Sequence, residues 1–79
     1  METPKPGAVY HHFKDVDKRY EVVGIAFNTE TEEDMVLYKP LYENAFAPLF
    51  VRPLAMFVED VHKPELGYSG PRFIRVKNA

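Results

Sequence analysis

The chain has 79 residues, a formal net charge of −2 and an isoelectric point near 5.9. One short core of this kind buries about 60–65% of the extended surface, and the 46% hydrophobic content is that of a globular domain. The mild acidity excludes a global electrostatic pull toward nucleic acid. The absence of cysteine excludes disulfides and thiolate chemistry and fits a reducing, cytoplasmic setting. No apolar run approaches the roughly 20 residues of a membrane span, and no membrane partner is expected.

In chain order, residues 1–6 read as a flexible tail, kept extended by Pro4 and Pro6, with no apolar segment of a signal peptide behind them. Residues 7–79 read as a single β-barrel domain. Residues 8–13 form a first strand and 14–18 a charged turn. Residues 19–27, rich in Val, Ile and aromatics, form a second strand. Strict alternation puts Val23, Ile25 and Phe27 on one face and Tyr20, Val22 and Ala26 on the other, so this strand is expected to be covered on both sides. Gly24 marks a bulge or a close backbone approach. After a polar loop at 28–34, residues 35–42 return as the hairpin partner, and Pro40 marks an edge, a bulge or the strand's end. Residues 43–48 are a loop and 49–51 a short strand. Residues 53–57 read as one 3₁₀ or helical turn opened by Pro53. A closing strand pair is expected at 58–62 and 73–77, joined by a long turn over 63–71. Five to six short antiparallel strands with no long helix predict an all-β fold, a small SH3-like barrel, with an open meander completed by dimerisation as the alternative.

Few residues carry a chemical signature. His11 and His12 are adjacent on a strand, so they point to opposite faces and cannot readily share one ion; His62 has no acidic ligand at a recognisable spacing. No metal and no cofactor is implied. Ser69 reads as a turn residue outside any nucleophile elbow. The carboxylates at Glu30, Glu32, Glu33 and Asp34, and at Glu59 and Asp60, read as solvated turns and strand ends, so no catalytic residue is assigned.

Two binding surfaces remain. Tyr10, Tyr38, Tyr42 and Phe46, with Arg52 set in the apolar run 49–57, could line a groove for a protein or peptide. Arg52 is expected to act either as a clamp held by a carboxylate or carbonyls, or as the groove's anion-recognising edge. Lys14, Lys18, Arg19, Arg72 and Arg75 form the alternative, a nucleic-acid surface, with Phe73, Arg75 and Lys77 on one face of the last strand. The competing view of that strand is a sheet edge whose charges discourage pairing with other chains. The expected role is therefore a non-catalytic protein or peptide interaction module, self-association as a homodimer being plausible at this size, with a nucleic-acid-binding accessory protein as the less favoured alternative and an enzyme acting on a small metabolite as the least favoured.

The motif series Pro6-Gly7, Tyr10-x-His12-Phe13-Lys14, Tyr20-x-Val22-x-Gly24-x-Ala26, Glu30-Thr31-x-Glu33, Val36-x-Tyr38-x-x-x-Tyr42, Val51-Arg52-Pro53-x-x-Met56-Phe57 and Pro71-Arg72-Phe73 resembles a bacterial family of small uncharacterised proteins, domain of unknown function 1653. The resemblance runs from about residue 7 to 76 and implies an SH3-like barrel without implying an activity. Asn28 stands where the family commonly has histidine, which counts against a catalytic or metal role at that turn. Phe50 replaces a usual tryptophan, keeping an aromatic but losing the indole donor.

Overall fold

The computed structural model describes residues 3–76. The elements are β1 (Val9–His12), β2 (Asp15–Asn28), β3 (Glu33–Pro40), β4 (Phe50–Pro53), a helical turn α1 (Leu54–Phe57), β5 (Asp60–Lys63), a 3₁₀ turn (Pro64–Leu66), β6 (Tyr68–Pro71) and β7 (Phe73–Arg75). Five strands form one antiparallel sheet in the order β4-β3-β2-β1-β7, and β5 pairs with β6 in a separate ribbon. The fold is all-β. Its two sheet edges, β4 and β7, are not hydrogen-bonded to each other, so the barrel is open along a seam.

The hairpin β2–β3 is the spine, and its loop is set by Asn28, whose Oδ1 accepts the N–H groups of Glu30 (3.0 Å) and Thr31 (3.3 Å). Pro40 is the last residue of β3, which is where a residue without an N–H costs the ladder least. The register shifts between Val22 and Gly24, leaving Val23 as an extra residue in a bulge. A Cβ at Gly24 would touch nothing within 4 Å, so the glycine marks the bulge and not a close backbone approach.

That bulge corrects the facing of β2. Directly opposite residues share a face, and beyond the bulge Ile25 lies opposite Val36, while Ala26 lies opposite Met35. Tyr20, Val22, Ile25 and Phe27 are thus on the core side, with Ala26 outside. The strand is not covered on both sides: Val23 is exposed on the bulge, and Ile25 and Phe27 run out past the core, Phe27 being 57% exposed.

Three further expectations are corrected. The charged turn is only Phe13-Lys14; Asp15 already pairs with His12, and residues 16–18 stand outside the β1–β2 ladder. The closing pairs are β5 with β6 and β7 with β1, because the segment read as a long turn contains its own strand. The turn expected at residues 53–57 is the helical turn α1, but Pro53 ends β4 at the N-cap position and the turn itself starts at Leu54; a 3₁₀ turn lies separately at Pro64–Leu66. Gly67 ends that turn in the left-handed region at φ 64°, which favours glycine.

The core is aromatic: Tyr20, Val22, Val36, Tyr38, Phe57 and Phe73 are buried together. Phe57 of α1 stacks on Phe73 of β7 at 4.3 Å with an interplanar angle of 6°, and Tyr38 meets both rings edge-on. A helical turn thereby plugs the curled sheet where the seam opens.

Candidate functional site

The five residues of the expected aromatic groove do not form one groove. Tyr38 is only 4% exposed and belongs to the core. Tyr10 is half-buried, its ring edge-on to Phe57 at 5.3 Å. Tyr42 is half-buried at the rim, its ring edge-on to Tyr20 and the two hydroxyls 3.0 Å apart. Burial, and then the Tyr42 hydroxyl, raise the Tyr20 phenol well above its ordinary value. This hydroxyl pair holds the chain where it leaves β3.

From there residues 43–48 swing out. Asn44 Oδ1 accepts the N–H groups of Phe46 (2.8 Å) and Ala47 (3.0 Å), a side-chain-capped turn that presents Phe46 to solvent at 89% exposure. Pro40, Tyr42, Phe46 and Pro48 line an open hollow of about 560 Å³ together with residues 43–45 and 47. Lys18 reaches over the Tyr42 ring at 5.5 Å. Tyr42 and Phe46 therefore do come together.

Arg52 does not line that hollow. It sits on the core side of β4, opposite Val36, and its guanidinium covers the Phe73 ring at 5.3 Å. The clamp is thus an aromatic ring on the far edge of the sheet; among the described residues Arg52 has neither a carboxylate nor a carbonyl partner. His12 approaches the same ring edge-on at 5.4 Å. Burial first, then Arg52, Arg72 and Lys14 in that order, lower the His12 pKa from 6.5, against a raising influence from Asp15.

The basic residues of the nucleic-acid alternative do not all share one face: Arg72 lies beside the Phe13-Lys14 turn, while Arg19 and Arg75 separate. In the sheet, Arg19 pairs opposite His11 and Arg75 opposite Tyr10, adjacent rows that face opposite sides. Arg72 is taken up by Glu59 at 2.6 Å, and Lys14 lies over Phe13 at 5.8 Å. Lys77 lies outside the described residues. Strand β7 is indeed a sheet edge.

Sequence reasoning missed a stacked run of rings. His12 stacks on Phe13 (4.7 Å), and Phe13 stacks on Tyr68 (4.9 Å), beside a second open hollow bordered by Lys14, Leu66 and Gly67. The Tyr68 hydroxyl donates to the Pro71 carbonyl at 2.6 Å, which fixes its ring. Nothing local in the sequence signals this contact, because Tyr68 comes from the ribbon that was read as a turn.

Among the described residues, no helix is long and apolar enough to cross a membrane. No curated protein matches the chain. A crystal structure of a DUF1653 protein from Bordetella bronchiseptica is similar at 33% identity and a TM-score of 0.78, over 95% of this chain and 90% of that one. Residues 8–75 match the model of DUF1653, a family described as a protein of unknown function, and the chain belongs to that family.

Proposed function

We propose that the chain is a non-catalytic interaction module that takes a segment of a partner protein or peptide in the hollow beside Tyr42 and Phe46. The presentation of Phe46 carries this reading. A built turn holds Phe46 out beside Pro40, Tyr42 and Pro48, so that its ring extends an apolar patch which a partner segment can cover. The neighbouring prolines and the Tyr42 ring suit an extended apolar or proline-bearing segment, for which flat rings give contact area at low entropic cost. The solvent exposure of the carboxylates at the β2–β3 tip and of Ser69 in β6 supports the non-catalytic reading.

Selection from a displayed random-peptide library tests this reading. Peptides enriched on the wild type are expected to perturb the backbone amides of residues 42–48 and to bind Phe46→Ser at least about tenfold more weakly, as expected for loss of an aromatic anchor. Enrichment that is indifferent to Phe46→Ser, or that maps elsewhere on the sheet, overturns it.

A further inference from the structure

We propose that His12 and Arg52, brought together on the Phe73 ring across the open seam of the sheet, bind an oxyanion, the carboxylate or phosphate group of a ligand. This site is separate from the Tyr42–Phe46 hollow and does not depend on it. The geometry is a product of the curl: His12 comes from β1 and Arg52 from β4, and both approach Phe73 of the edge strand β7, at 5.4 and 5.3 Å.

Both donors are left over. His12 Nδ1 accepts the backbone N–H of Lys14 at 3.2 Å, which places the proton of the neutral ring on Nε2. Among the described residues nothing accepts from Nε2, and no acid pairs with Arg52. Among the described residues the buried side-chain atom without a partner is Arg72 Nε; the nitrogens of Arg52 and His12 Nε2 are not of that kind, and both residues are only partly buried. Both groups reach the same ring, and among the charged residues Arg52 acts on His12 most strongly; a planar guanidinium fork and an imidazole N–H converging there suit the oxygens of a carboxylate or phosphate.

The surrounding charges favour the same ligand. Arg52, Arg72 and Lys14 all act on His12 as positive neighbours, and Asp15 is the acid that opposes them. Glu59 is committed to Arg72 at 2.6 Å, which leaves Arg52 and Lys14 uncompensated by any ion pair among the described residues. An entering anion relieves the mutual repulsion of these cations and makes protonation of His12 easier.

The test is NMR titration of the labelled full chain with inorganic phosphate and, separately, acetate, with chloride at matched ionic strength as the reference. The expected result is a saturable shift of the His12 ring and Arg52 side-chain signals, with an upward move of the His12 pKa on saturation. Response to phosphate alone assigns a phosphate ligand, and response to acetate assigns a carboxylate. Arg52→Gln is expected to weaken binding about tenfold or more, and Arg52→Lys less, because it keeps the charge and loses the fork. If Arg52→Gln fails to fold, His12→Gln supplies the same comparison. Shifts that track ionic strength as chloride does, or binding that survives both variants, overturn the proposal.

Discussion

Phe57 shows how much one side chain carries in a core this small. It is 2% exposed, stacks on Phe73 and meets the Tyr10 and Tyr38 rings in edge-to-face contacts. Phe57→Ala is expected to cost about 3–5 kcal/mol through lost transfer energy and the cavity left behind. That approaches the whole stability of a marginal domain, so urea unfolding should show a sharply lowered midpoint or no folded baseline. His12 gives a second prediction. Its pKa in the folded chain is lowered from 6.5, so the unfolded chain binds a proton there more readily than the native one. The stability tied to neutral His12 is fully present above its unfolded value and is lost as pH falls from there through the folded pKa. Thermal scans of wild type and His12→Gln across that window should show the wild type losing more stability on acidification. A parallel response of the two proteins would remove His12 as the cause.

At the scale of the element, the β2–β3 hairpin turns on a residue with the wrong backbone preference. Glu32 adopts φ 60°, a left-handed conformation that an L side chain with a Cβ enters only at a cost. It also sits among Glu30, Glu33 and Asp34 at the hairpin tip. Glu32→Gly is expected to stabilise the protein by about 0.5–1 kcal/mol, relieving the strain and one like charge while giving back some chain entropy. An unchanged or lower denaturation midpoint would show that the turn rearranges. The loop at 43–48 makes the converse case. Asn44→Ala removes the acceptor for two N–H groups, and a loss of about 0.5–1.5 kcal/mol is the ordinary value for such a bond. Amide exchange at Phe46 and Ala47 should quicken in that variant while the sheet stays protected.

For the whole molecule, the curl of the five-stranded sheet decides where charge ends up. Arg19 and Arg75 face opposite sides, Arg72 is paired, and the chain carries a net charge of −2. Passage through a heparin column at physiological salt without retention is the expected outcome, since a nucleic-acid footprint needs several free cations on one surface. The all-β class and the central hairpin were legible in composition, period-two patterning and turn chemistry, which are local properties of the backbone; Gly24 and Pro40 marked irregularities whose kind, a bulge and a strand end, the pairing decided. One extra residue at Val23 reversed the facing of Ile25, Phe27 and Ala26, which strict alternation cannot anticipate. The pairing of β7 with β1, the ribbon β5–β6 and the stacking of Phe13 on Tyr68 join segments distant in the chain, so no local pattern announces them. The apolar run 49–57 by itself set a core element with one charge in it. Only the tertiary structure decided where that charge goes: the open sheet curls until Arg52 on one edge lies over Phe73 on the other, and a ring takes the place of a carboxylate.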